Sequence, residues 1–320
     1  MSKILPWIKI GVSVGLLGSL VCFLDWQESL VLLHSANRYE LALGLGLLLV
    51  AYGINGIRLI KLQQRVGLEI PGPLFWGSYF TGLLFSYVLP SSVGGDAVRA
   101  MFLARRSYPM GALVVSGLVD RFFGLLGLLG LGGIAILVEP SVLPIRQDFS
   151  LILGSGLLLG MVSGLWLLPR LGIWLHGKWG KRMISGWGAK LESGALQIQQ
   201  FFCPSKRLFV PVSLSLVSQG LVILSYASCG HSLLPDMSLA HYFVAIPGIM
   251  LVLVVPISMG GLGLREVSTV GLLVWMGADA QAALTLSLVF LVISWISVMP
   301  GILTAVHYGF RSLSAENNNQ

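Results

Sequence analysis

Six stretches of the sequence are apolar over lengths that a soluble fold does not bury: Trp7–Leu24, Leu41–Ile60, Met110–Val138, Phe149–Leu168, Leu208–Cys229 and Ala282–His307. A helix needs about 20 apolar residues to cross the hydrocarbon of a bilayer. Water is absent there, so every backbone N–H and C=O must be satisfied within the protein, and long helices do this best. Charge is correspondingly scarce. Only 10% of residues are Asp, Glu, Lys or Arg, against about 25% in an average soluble domain. A soluble globule of 34.4 kDa with mean hydropathy +0.86 has too few charges to cover its surface. The expected fold class is therefore all-α: a polytopic helical membrane protein forming one integral membrane domain over residues 1–310, with a polar tail at 311–320. No small-residue cleavage site follows Ile10–Leu24, so that run reads as a retained first span rather than a signal peptide.

Two further apolar stretches, Pro73–Ala104 and Ala240–Met276, are broken internally. The breaks fall at Leu89–Asp96 and Pro256–Gly263, where Pro, Ser and Gly cluster. The distribution of charge says how these stretches lie. Arg170, Lys178, Lys181, Arg182, Lys190, Lys206 and Arg207 face only Glu192 in the connection 170–207, which carries nearly all of the net charge of +7. The positive-inside rule makes that connection cytoplasmic. Lys3 and Lys9 put the N-terminus on the same side, as do Arg58, Lys61 and Arg65 after the second span. Asp25, Glu28, Glu40, Glu139, Asp148, Asp236 and Asp279 dominate the other connections, which read as external. Both broken stretches must then enter and leave on one face. Two re-entrant hairpins from opposite sides, beside about six full spans, are the simplest solution; kinked full crossings are the alternative. The expected halves are 1–169 and 208–308, joined by the basic connection 170–207, in the cytoplasmic (inner) membrane.

The two breaks share a pattern. Pro90, Ser92, Gly94, Gly95 and Arg99 align with Pro256, Ser258, Gly260, Gly261 and Arg265 as P-x-S-x-G-G-x-x-x-R. Paired Pro/Gly interruptions in two halves of opposite orientation point to an inverted repeat with a binding site near the midplane. Pro ends the hydrogen-bond ladder. Gly permits a tight turn and close approach of a ligand. Half-helices starting near Asp96 and Leu264 aim free N–H groups at the turn, and Arg99 and Arg265 add donors suited to a phosphate. Two bland readings stand beside these: Arg99 snorkels to the surface, and Arg265 and Glu266 neutralise each other. Asp120 and Arg121 lie about mid-depth in the Met110–Val138 stretch, where charge costs at least about 2.5–3.5 kcal/mol and so faces a partner or a cavity. Adjacent helical residues point about 100° apart, so the two do not pair. The expectation is that Arg121 faces the same cavity as Asp96, and that Asp120 meets Arg99 or Arg265. A purely structural network is the alternative.

Leu89–Arg99, then Val119-Asp120-Arg121, then Pro256–Glu266 resemble the flippase-like membrane domain of the lysylphosphatidylglycerol synthase family. The resemblance covers roughly Trp7 to His307 and is most specific at Pro256–Glu266. It implies a lipid-handling membrane domain, linked in the family to flipping of aminoacylated phosphatidylglycerol, to polyprenyl-phosphate sugar pathways or to hopanoid handling. Bifunctional members add a soluble aminoacyltransferase domain. The sequence has only Arg311–Gln320 in that place, so synthesis of a lysyl-lipid by this chain is not expected.

The candidate headgroup-binding set is Ser92, Gly94, Gly95, Asp96, Arg99, Asp120, Arg121, Ser258, Gly260, Gly261, Gly263, Arg265 and Glu266, with Pro90 and Pro256 as helix breakers. The leading expectation is a flippase-like translocator of an anionic phospholipid or polyprenyl-phosphate-linked headgroup, not an enzyme. One alternative is an accessory protein that presents a lipid carrier to a glycosyltransferase or synthase. Another is a lipid-modifying enzyme, for which His231 and Asp236 match an H-x-x-x-x-D acyltransferase signature in a short external loop. Membrane lipids are the expected partners, with no nucleic acid. No cofactor or metal is expected, because Cys22, Cys203 and Cys229 are scattered and His34, His176, His241 and His307 stand at no metal-ligand spacing. No Walker motif is present.

Overall fold

The computed structural model of the chain describes residues 5–23, 25–89, 94–179, 201, 208–254, 258 and 260–306. All regular structure among them is helical: α1 (Leu5–Phe23), α2 (Trp26–Ser35), α3 (Arg38–Arg65), α4 (Gly72–Val88), α5 (Gly94–Ala104), α6 (Met110–Val138), a 3-10 turn at Pro140–Val142, α7 (Gln147–Trp179), α8 (Phe209–His231), α9 (Leu239–Val252), α10 (Leu264–Trp275) and α11 (Ala280–Val298). Among the described residues, five helical segments are long and apolar enough to cross a membrane: Arg38–Arg65, Met110–Val138, Gln147–Leu167, Phe209–His231 and Ala280–Val306. They correspond to five of the six expected spans, and α1 covers the place of the first. The protein is a multi-pass helical membrane protein. Phe149, Ile152, Leu159, Val162 and Trp166 stand exposed along α7, an apolar face suited to lipid rather than water.

Polar residues set several helix ends. Asp25 caps α2, its Oδ1 accepting from the N–H groups of Gln27 at 2.9 Å and Glu28 at 3.2 Å. Asp279 caps α11 by accepting from the Ala282 N–H at 2.9 Å. Each satisfies donors that the first helical turn leaves without an intrahelical partner.

The four arms of the broken stretches are short: 17 residues in α4, 11 in α5, 14 in α9 and 12 in α10. At 1.5 Å per residue none exceeds about 26 Å, less than the roughly 30 Å of hydrocarbon. The arms fold back on each other. Gly82 of α4 lies against Gly95 and the Arg99 Cβ of α5, and Gly95 lies against Ser86. Gly248 of α9 meets Leu272 of α10, while Gly261, nearer the turn, meets Leu253. Partners pair in reverse order along both stretches, so each is an antiparallel hairpin and not a kinked continuous helix.

The chain forms two compact units, each assembled from separated segments. The first takes Met1–Leu49, Ile70–Phe102 and Val222–Gln320, and so holds both hairpins with α1, α2 and α11. In it α11 packs on α2, α4 and α10, and α9 packs on α10. Tyr226, Tyr242, Ile246, Ile249, Leu273 and Phe290 are buried there. The second unit takes Val50–Glu69 and Leu103–Leu221. Its α6 and α7 run antiparallel, with Gly133 against Gly154 and Gly130 against Met161. Its core groups Leu62, Val119, Phe123, Leu126 and Phe201, with Met161 and Leu165 packed alongside.

Candidate functional site

In the first hairpin, α5 begins at Gly94, so Gly94 and Gly95 already belong to the helix. Their lack of side chains serves packing. A Cβ on Gly95 would collide with the Ser86 Oγ and the Gly82 carbonyl, and one on Gly94 would lie 2.9 Å from the Leu89 Cβ. Asp96 stands in the first turn, where a carboxylate complements the positive end of the helix. Arg99 follows one turn later and is 4% exposed. It does not snorkel: its Nη2 approaches Asp96 Oδ1 at 3.4 Å. That approach is not a hydrogen bond, and the buried Nη2 has no hydrogen-bond acceptor among the described residues.

The second hairpin uses its glycines differently. Gly260, Gly261 and Gly263 have φ of 58°, 83° and 80°. L side chains adopt this left-handed region only at a cost. The helix starts after them, at Leu264. Glu266, fully buried, turns back on the same helix, and its Oε2 accepts from the Gly263 N–H at 2.6 Å. Arg265 goes elsewhere: its guanidinium lies 5.2 Å from the centre of the Tyr87 ring, and a Cβ on Gly261 would be 3.9 Å from its Nη2. Tyr226 of α8, stacked on Phe290, stands close to Arg265, Glu266 and Tyr87 and hydrogen-bonds Thr269.

The two hairpins meet within the first unit. Gly260 sits over the C-terminal end of α4, where a Cβ would lie 2.8 Å from the carbonyl oxygens of both Ser86 and Tyr87. Gly301, past the end of α11, leans on the same helix, its missing side chain leaving room for the Phe80 carbonyl. Thr304 and Thr81 pair nearby through their hydroxyls at 3.1 Å. Gly95 of the first hairpin and Gly260 of the second thus both lie against the C-terminal half of α4, and Arg265 lies over Tyr87 there. Ser258 is buried at 4% exposure; Pro90, Ser92 and Pro256 lie outside the described residues.

Asp120 corrects an expectation. Its partner is neither Arg99 nor Arg265 but Arg58, inside the second unit: Arg58 Nε donates to Oδ1 at 2.7 Å and Nη2 to Oδ2 at 3.0 Å. Arg58 Nη1 also donates to Ser215 Oγ at 2.9 Å, and the Ser215 hydroxyl donates in turn to the Pro211 carbonyl at 2.7 Å. Gly124 makes room for this cluster, since a Cβ there would stand 3.3 Å from Gln219 Nε2 and 3.6 Å from Arg58 Nη2. Arg58 is 3% exposed and lies well inside α3, which runs on to Arg65. It was read as one of three inner-surface charges following a span; it is instead a buried clamp. The clue was in the sequence, because Arg58 falls inside the apolar run Leu41–Ile60. Arg121, the next residue after Asp120, points outward and is exposed in the second unit.

His231 engages a different acid from the one its sequence signature suggests. Its Nδ1 is 2.9 Å from Glu40 Oε1. Among the described residues no group of His, Cys, Asp or Glu is arranged to hold a metal ion. Cys22 is exposed and Cys229 buried, and Cys203 lies outside the described residues.

A multi-pass helical membrane protein with two broken hairpins meeting at a charged glycine turn defines the class. The chain belongs to the family of the lysylphosphatidylglycerol synthase TM region, whose model matches residues 7–301. It is also similar to "Glycosyltransferase AglD" of Haloferax volcanii, 28% identical over 153 residues, which are 48% of this chain and 24% of that protein. The matched part thus spans about a quarter of that relative's length. Family membership ties the chain to a membrane-lipid-related function.

Proposed function

We propose that the chain binds the phosphate of an anionic lipid headgroup at the meeting point of its two hairpins and carries it across the cytoplasmic membrane as a flippase-like translocator, without itself being an enzyme. The observation that carries this reading is the contact of Gly260 with the carbonyls of Ser86 and Tyr87, which brings the two arginine-bearing hairpins together. Arg99 supplies a buried Nη2 with no acceptor among the described residues, and Arg265 a guanidinium held over Tyr87. Guanidinium forks match phosphate oxygens in geometry and charge. Irregular backbone at membrane depth is tolerated where protein or a polar cavity satisfies it, and transporters place their sites at such breaks. Asp96 and Glu266 hold the architecture around the arginines when no headgroup is present. The N-terminus and the connection 170–207 are proposed to face the cytoplasm, and the connection to meet anionic headgroups there.

The test is movement of a headgroup-labelled anionic phospholipid, and separately of a polyprenyl phosphate, in proteoliposomes. Arg99→Ala and Arg265→Ala are expected to abolish movement while insertion and helix content are kept. Normal movement in both variants would sink the site assignment.

A second reading is favoured by the similarity to a protein named as a glycosyltransferase. In it the same site holds a polyprenyl-phosphate carrier for a glycosyltransferase or synthase partner and does not release it across the membrane. Retained binding with no movement in the same assay selects this reading.

A further inference from the structure

Both ends of α2 are tied to one edge of the first unit. At its start the Asp25 N–H donates to the Gln281 side chain, in the first turn of α11, at 3.3 Å. Past its end the Asn37 N–H donates to Ser232 Oγ, one residue beyond α8, at 3.3 Å. The end of α8 and the start of α11 lie on the same face of the membrane, because the hairpin of α9 and α10 between them leaves that face and returns to it. Glu40, in the first turn of α3, joins His231 there. A helix of 10 residues pinned at both ends to one face is too short to cross hydrocarbon that takes about 20. It runs along the surface.

Its side chains fall into three stripes. Ser29 is buried and Leu32 half-buried, and the Ser29 hydroxyl meets the Thr285 hydroxyl of α11 at 3.1 Å. Trp26, Leu30 and Leu33 share a second stripe, about 60° wide for a helix of 3.6 residues per turn, and all three are exposed. Gln27, Glu28, His34 and Ser35 are exposed on the remaining arc, with Val31 the one apolar residue among them. One stripe thus meets protein, and the other two differ in polarity as the two sides of a membrane surface do. Tyr39 at the start of α3 and Trp275 at the end of α10 are exposed on the same face. Trp and Tyr gather at the headgroup level of a bilayer.

We propose that α2 is an interfacial helix, its Trp26, Leu30 and Leu33 stripe seated at the headgroup–acyl boundary of phospholipid on the side where α8 ends, with Gln27, Glu28, His34 and Ser35 in water. The stripe continues into the lipid-facing surface of the spans, since Tyr39 and Leu43 are exposed one turn apart on α3. Many interfacial helices carry Lys and Arg for anionic headgroups. This one has neither, and Glu28 and the capping Asp25 are acidic. Apolar burial therefore makes the attachment, and zwitterionic phospholipid suffices. The assignment does not rest on the translocation reading.

The experiment is collisional electron paramagnetic resonance on the full chain in phosphatidylcholine nanodiscs, with a nitroxide on single cysteines after replacement of Cys22, Cys203 and Cys229. Labels at Leu30→Cys and Leu33→Cys are expected to collide several-fold more with oxygen than with a nickel chelate, and labels at Gln27→Cys and Glu28→Cys to show the reverse. All four side chains are exposed, so a label displaces no packed group. Equal nickel access at Leu30 and Gln27 would put the stripe in water and overturn the proposal. Exclusion of both reagents at Leu30 and Leu33 would mean that protein covers the stripe, a second copy included, and would overturn it as well. Added phosphatidylglycerol is expected to change nothing; a contrast seen only in its presence would overturn the apolar attachment. A second measurement keeps all three cysteines. Lipid brominated near the top of the acyl chain is expected to quench less tryptophan fluorescence in Trp26→Phe than in the wild type, and equal quenching would remove Trp26 from the boundary.

Discussion

Arg58 and Asp120, 62 residues apart in sequence, grip each other through two parallel N–H···O bonds of 2.7 and 3.0 Å in the interior of the second unit. A largely buried pair of this kind is costly to break from one side, because the remaining charge keeps little access to water. Arg58→Ala or Asp120→Ala is expected to destabilise by about 3–5 kcal/mol. The double replacement by Leu removes both charges together and is expected to recover most of that loss. Thermal unfolding in detergent reads both, and additive losses in the double variant would contradict the pairing.

Gly260 is expected to resist substitution by alanine for two reasons at once: its φ of 58° and the two carbonyl oxygens 2.8 Å from where a Cβ would go. Backbone strain of this kind costs on the order of 1–3 kcal/mol, and the steric clash adds to it. Gly271, where a Cβ meets nothing within 4 Å, is the control. A Gly260→Ala protein as stable as Gly271→Ala would show that the hairpins do not meet at this glycine.

The Tyr87 ring beneath the Arg265 guanidinium, 5.2 Å away, is expected to orient it. Such contacts are worth roughly 0.5–2 kcal/mol. Tyr87→Phe keeps the face and is expected to bind a phosphate-bearing lipid as the wild type does. Tyr87→Leu is expected to weaken binding several-fold, as measured by native mass spectrometry against a titrated anionic lipid. Equal affinity in the two variants would remove the ring from the site.

His231, whose side chain is 78% exposed, makes a surface pair with Glu40. Exposed pairs contribute about 0–1 kcal/mol. His231→Ala is therefore expected to lower thermal stability only slightly and to leave lipid movement intact. Loss of a lipid-modifying activity in that variant would instead support the acyltransferase alternative.

Topology is open to a direct check. After replacement of Cys22, Cys203 and Cys229, a single cysteine at Ser232 is expected to react with an impermeant maleimide from outside intact cells. One at Lys190, which lies outside the described residues, is expected to react only after permeabilisation. The reverse pattern would invert both hairpins.

Much of the architecture was open to reading because membrane helices announce themselves by length and apolarity, and their interruptions by Pro and Gly. Pro73–Ala104 and Ala240–Met276 stood out for that reason, and the structure folds both into hairpins. Pairings across the chain were less accessible. Helical spacing tells which residues share a face, but not which distant helix that face meets. Arg58 sat near Lys61 and Arg65 and looked like one more orienting charge; only the fold of α3 against α6 reveals its partner. The two glycine pairs show a further limit. They align residue for residue in sequence, yet Gly94 and Gly95 lie within a helix and Gly260 and Gly261 in a left-handed turn before one. The same letters answer steric crowding alone in one copy, and left-handed backbone, with crowding at Gly260, in the other.

Three glycines from three different places, Gly95, Gly260 and Gly301, come to rest on carbonyl oxygens of α4, at Gly82, at Ser86 and Tyr87, and at Phe80. The spacing of these junctions is therefore set largely by main chain, with the Ser86 hydroxyl and the Leu84 Cβ beside it. Side chains elsewhere on α4 can change in size or polarity without altering the gap, whereas a single methyl group added at any of the three glycines wedges the helix away from its neighbour.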